Sequence, residues 1–127
     1  MSFAWEAYLT VAEALVQQRA TFAPEEACCR AAISRAYYAA YGAARNHARD
    51  GEGLALTQTG DDHRQVLGHY RRAPDPVHQE VGELLFRLRR HRAQADYADT
   101  LRDAVPRAYA ALRRARRVFA LLAALQG

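Results

Sequence analysis

Apolar residues recur along this chain at helical spacing, and no segment alternates apolar and polar residues long enough to read as a strand. Trp5, Tyr8, Leu9, Ala12, Leu15 and Val16 fall on one face of a helix predicted over Phe3 to Arg19, with Ser2 as its N-cap. A second helix starts at Pro24, where proline is preorganised and Glu25 and Glu26 complement the positive dipole end. It runs to Arg49 and is stopped by Asp50-Gly51. A glycine- and threonine-bearing loop, Gly51 to Gly60, precedes a short helix over Asp61 to Arg72, with Val66, Leu67 and Tyr70 facing inward. Ala73-Pro74-Asp75-Pro76 breaks that helix, and Asp75 caps the next, Pro76 to Tyr97. Its stripe is Val77, Val81, Leu84, Leu85 and Leu88, continued by His91 and Ala95. A fifth helix over Ala104 to Leu125 has Asp103 as its cap and a stripe of Val105, Tyr109, Leu112, Phe119 and Leu122. The pattern predicts an all-α fold, an antiparallel up-and-down bundle of four to five helices in one domain over residues 1–127.

Composition narrows the classes. Half the residues are hydrophobic and a quarter charged, a globular balance rather than a disordered one. The most apolar stretch, Val118 to Leu125, is far shorter than the ~20 residues of a membrane helix. The N-terminal residues include glutamates and no basic segment, unlike a signal peptide. The expectation is a soluble cytoplasmic protein with no membrane partner. Cys28 and Cys29 are adjacent, which suits neither an ordinary disulfide nor a zinc site, so they read as small packed residues. All 18 basic residues are arginines, although the formal net charge is only +4. Arginine donates two parallel hydrogen bonds to phosphate, but a mild net charge does not by itself imply a nucleic-acid partner.

Two segments hold the chemistry. In the second helix Ser34, Tyr37 and Tyr41 share one face, and Arg35 and Tyr38 a neighbouring one. The tyrosines read first as core or interface side chains whose hydroxyls seek Arg92 or Asp96, and alternatively as base-stacking platforms. At the end of the fourth helix Arg92 and Asp96 are four apart on one side, either a surface ion pair or a partly buried one. His91 is a packed histidine or a proton donor. His47, His63 and His78 read as surface residues, and the Arg64–His69 spacing on the short helix as chance. No two histidines stand three or four apart, and no histidine–glutamate zinc motif occurs, so neither metal nor cofactor is expected. Gly51-Glu52-Gly53 matches no phosphate-binding glycine loop. Arg113, Arg114, Arg116 and Arg117 form a solvated face or a surface for phosphate or an acidic partner.

"SRAYYAAYGAAR" at Ser34 to Arg45, followed by "RAQADYAD" at Arg92 to Asp99, resembles the HEPN (higher eukaryotes and prokaryotes nucleotide-binding) domain. It is similar in particular to the small bacterial and archaeal type with SRAYYAAF and RxxADY signatures, and the resemblance covers nearly the whole chain. The resemblance implies a helical bundle that usually dimerises. It also implies a minimal nucleotidyltransferase as partner, often in a toxin–antitoxin pair. Active members are metal-independent ribonucleases with an arginine followed four to six residues later by a histidine. Here Arg92 matches that arginine, but Asp96 and Tyr97 stand in the histidine region and Ala93 replaces the usual asparagine. An ion-paired aspartate is a poor general acid near neutral pH.

Three readings follow. In the first, the chain is a non-catalytic or weakly active HEPN bundle and nucleotidyltransferase partner, binding nucleotide or RNA phosphate through Arg35, Tyr38, Arg92 and Asp96. In the second it is a ribonuclease toxin, with Arg92, His91 and Tyr97 as candidate catalytic residues. In the third it is a homo-oligomeric module that self-associates through the small-residue face of the second helix.

Overall fold

The alanine-rich second segment becomes the central element. The computed structural model describes residues 2–127 and contains five α-helices and, among the described residues, no strand. These are α1 (Glu6–Gln17), α2 (Glu25–Asn46), α3 (Asp62–Arg72), α4 (Pro76–Tyr97) and α5 (Ala104–Gln126). Helix α2 packs against α1, α4 and α5, while α3 crosses α4. The arrangement is an all-helical, antiparallel bundle around one core.

Small residues on α2 make this close packing possible. Ala32, Ala36, Ala39, Ala40 and Ala44 are fully buried, and the Trp5 ring lies directly on Gly42, where any Cβ would collide with it. This face is therefore the inside of the chain, covered by α1, α4 and α5. It is not available as a self-association surface, contrary to the third sequence reading. Ile33, Val16, Val66, Val81, Leu88 and Val118 fill the space around it. Cys28 and Cys29 are free and buried, and burial pushes the Cys29 thiol up. No helix is long and apolar enough to cross a membrane.

Several ends differ from expectation. Helix α1 starts at Glu6, so Ser2 is not its cap; Trp5 holds that position without a side-chain cap bond. The Asp75 cap forms, its carboxylate accepting from the His78 backbone N–H at 3.0 Å. Asp103 precedes α5 in the left-handed region (φ 56°) and makes no cap bond, since its backbone is turned out of the capping conformation. Tyr109 points outward, 42 % exposed, under the Arg19 guanidinium rather than into the core. Helix α2 does not continue as an α-helix to Arg49: after Asn46 it widens into a π turn, His47–Gly51.

Helices α2 and α4 are tied together by Arg30. Its guanidinium donates to the carbonyls of Ala95 (2.9 Å) and Ala98 (2.7 Å), which the α4 helix end leaves without intrahelical partners. This contact fixes the height of Arg92 and Asp96 against the tyrosines of α2.

Candidate functional site

The face of α2 bearing Ser34, Tyr37, Tyr38 and Tyr41 meets the last turns of α4. Asp96 Oδ2 accepts from the Ser34 hydroxyl at 3.4 Å and lies 3.5 Å from the Arg92 guanidinium. The Arg92 side chain is only 14 % exposed, and its guanidinium carbon sits 5.6 Å from both the Tyr37 and the Tyr38 ring centroids. Arg35 lies 5.3 Å from the other neighbour of this group, the Tyr38 ring, and 4.9 Å from Tyr8. The four residues expected to bind phosphate are thus in one chain of contacts: Arg35, Tyr38, Arg92, Asp96. Arg92 remains short of partners. A strong guanidinium–carboxylate hydrogen bond is about 2.7–2.9 Å, and the buried Arg92 Nε has no partner at all. An open groove beside it is lined by Leu67, Phe86, Arg89, Arg90, Arg92 and Ala93.

Sequence reasoning missed His63 here. Rather than lying on the surface, it stacks on Tyr41 (3.9 Å between ring centroids, 3° between planes) and hydrogen-bonds the Tyr37 hydroxyl through Nδ1. Burial, reinforced by Arg89 and Arg92, holds its pKa down to about 4, so the imidazole is neutral at pH 7. Burial also pushes the Tyr37 hydroxyl well above the usual tyrosine range. The Tyr37 hydroxyl therefore meets His63, not Arg92 or Asp96 as expected.

The other candidates are elsewhere. His91 turns toward α5, where Arg107 donates to its Nδ1 at 3.1 Å and to Gln94 at 2.9 Å. Burial first, then Arg114, Arg107, Arg90 and Arg87, keep its pKa below the ordinary value. Adjacent residues on a helix point about 100° apart, so His91 and Arg92 serve different faces. Tyr97 is 78 % exposed at the end of α4. Within the arginine run of α5, Arg116 pairs with Glu13 (3.1 Å) and Arg117 with Glu80 (2.8 Å), so half of that run is engaged within the chain.

A second polar cluster gathers residues that the sequence left apart. His47 from the π turn, His69 from α3 and His78 from α4 all surround Glu52. Their Nε2 atoms lie 3.0, 2.7 and 2.7 Å from its carboxylate oxygens. His78 Nδ1 in turn meets Asp75 Oδ1 at 2.7 Å. His47 and His78 are therefore largely covered, not surface residues as expected, with side-chain exposures of 7 % and 15 %. Burial works against the Glu52 charge, but the hydrogen bonds from His69, His78 and His47 outweigh it and hold its pKa down at about 2. For His78, burial is outweighed by Asp75 and Glu52, and its pKa is raised.

Compared with known proteins, the chain matches no family model, no curated protein and no solved structure.

Proposed function

We propose that this chain is a HEPN-type helical bundle that binds the phosphate of a nucleotide or RNA at Arg92. It would act as a homo-oligomeric partner of a minimal nucleotidyltransferase, in the manner of a toxin–antitoxin pair and without a full ribonuclease motif. The observation that supports the binding half is the state of Arg92. An Arg92 side chain that is 14 % exposed, with a single 3.5 Å contact from Nη1 to a carboxylate, leaves its outer guanidinium nitrogens as the donors for an anion, the Nε being covered. Arg89 and Arg90 line the same groove and add charge. Tyr38 lies half-buried beside Arg92 and Arg35, and is the aromatic candidate for a base contact. The partner and the toxin–antitoxin role rest on the sequence resemblance alone.

The test is fluorescence anisotropy with a labelled single-stranded RNA and with a labelled nucleotide, over a salt series. Arg92→Gln is expected to weaken binding by tenfold or more, about 1.4 kcal/mol, and to flatten the salt dependence. Unchanged affinity in a variant of unchanged helicity overturns the binding site. Affinity purification from the native cell tests the partner; recovery of the chain without a nucleotidyltransferase-like protein counts against that half.

The ribonuclease reading is favoured by one observation: a histidine, His63, shares the Tyr37 ring with Arg92. Its chemistry argues the other way. An imidazole with pKa about 4 is a weak base at neutral pH, and its Nδ1 is already engaged by Tyr37. RNA cleavage without metal that disappears in both Arg92→Ala and His63→Gln would replace the binding reading with this one.

A further inference from the structure

The His47–Glu52–His69–His78 cluster lies outside the Arg92 groove and takes no part in the function proposed above. Its construction begins in the backbone. In an α-helix, residues five apart point about 140° away from each other. The π turn over His47–Gly51 replaces that geometry with i→i+5 pairing. It brings His47 and Glu52 onto one side, with His47 Nε2 at 3.0 Å from the carboxylate. Two further elements deliver His69 and His78 to the same carboxylate, each at 2.7 Å. The donor atoms of His47, Glu52 and His78 all lie within 4.8 Å of one another. The rings of His69 and His78 rest against Tyr70, which is fully buried and anchored to the Ala44 carbonyl at 2.7 Å, so the cluster has a rigid inner wall.

We propose that His47, Glu52 and His78 form a binding site for one divalent transition-metal ion of the zinc class, with His69 held beside it on the other oxygen of the Glu52 carboxylate. Two imidazole nitrogens and one carboxylate are a ligand set suited to zinc, cobalt or nickel rather than to calcium or magnesium, which prefer oxygen. The bond to each ligand would be about 2.0–2.2 Å. Metal binding would draw the present hydrogen-bonded donors toward a tetrahedron, with the metal in place of the protons now shared with Glu52. The Asp75 contact is an independent feature of the same kind of site. A carboxylate on Nδ1 fixes the imidazole tautomer and turns Nε2 toward the metal, the usual support of a metal-bound histidine. A divalent ion with neutral imidazoles is balanced by Glu52 and Asp75. Three protein ligands leave the fourth position to water, and the ion clips the π turn to α4 across the intervening loop and α3.

The test uses untagged full-length protein freed of metal with a chelator and titrated with cobalt(II), then zinc. The expected result is one equivalent of cobalt with the intense visible d–d absorption of a four-coordinate ion, displaced by zinc, and a zinc-dependent rise in melting temperature. Glu52→Gln keeps the side-chain shape and is expected to abolish these bands with helicity unchanged. Asp75→Asn is expected to keep the bands and weaken affinity by about 10- to 100-fold. His91→Ala, which removes an imidazole elsewhere, leaves binding intact. Absence of d–d bands and of a melting shift into the millimolar metal range overturns the proposal. So does binding that survives unchanged in both Glu52→Gln and the His47→Ala/His78→Ala double variant.

Discussion

At the scale of single residues, His63 is the side chain whose environment departs most from its sequence neighbourhood. It has the ordinary look of an exposed histidine at the start of a short helix, yet Tyr37 and Tyr41 enclose it. Unfolded, it titrates near 6.5; folded, near 4. Between these values the unfolded chain takes up a proton that the folded chain refuses. The stabilisation is therefore complete above about pH 6.5 and is lost as pH falls toward 4. Linkage sets an upper bound of about 2 kcal/mol on the loss at about pH 5 relative to neutral pH, reduced by solvent screening because the ring is only partly buried. Glu52 titrates lower, between its ordinary range and about 2, so its contribution is lost in a more acidic window. Chemical denaturation of wild type and His63→Gln across this range measures the His63 share. The variant, which keeps a hydrogen-bond acceptor but no titration, is expected to lose less stability on acidification. Equal pH slopes would show that His63 is not the group responsible.

At the scale of elements, the contact that sets α4 against α2 is Arg30 on the α4 carboxyl end. A hydrogen bond from a charged donor contributes roughly 1.5–3 kcal/mol, and two carbonyls are involved here. Arg30→Met keeps most of the aliphatic packing and removes the donors. It is expected to cost about 2 kcal/mol in urea unfolding and to weaken RNA binding, because Arg92 and Asp96 lose their register against Tyr37 and Tyr38. A variant as stable as wild type would mean that these carbonyls are satisfied by water instead. Most helices were legible from their apolar period: α4 has the predicted bounds, Pro76–Tyr97, because Pro76 and Asp75 mark its start unambiguously. The end of α2 was not legible. Its residues all favour helix, and the choice of a π turn at His47 depends on what Glu52 reaches across the chain.

At the scale of the whole molecule, the arginines separate into engaged and available groups. Arg116 and Arg117 carry exposed ion pairs with α1 and α4, and such pairs contribute little to stability but occupy the guanidinium. The double variant Arg116→Ala/Arg117→Ala is expected to change RNA affinity by no more than about threefold, against tenfold or more for Arg92→Gln. An equal loss would relocate the phosphate surface to α5. The sequence by itself determined the helical class, the positions of the helices and the local pair Arg92–Asp96. Each of these depends on residues within a few turns of one another, where period and spacing are sufficient. Tertiary structure alone decided three other things: that His63 lies under the tyrosines, that His91 faces α5 instead of Arg92, and that His47, His69 and His78 converge on Glu52. These juxtapositions join residues from different helices and a π turn, and no single-helix spacing encodes them.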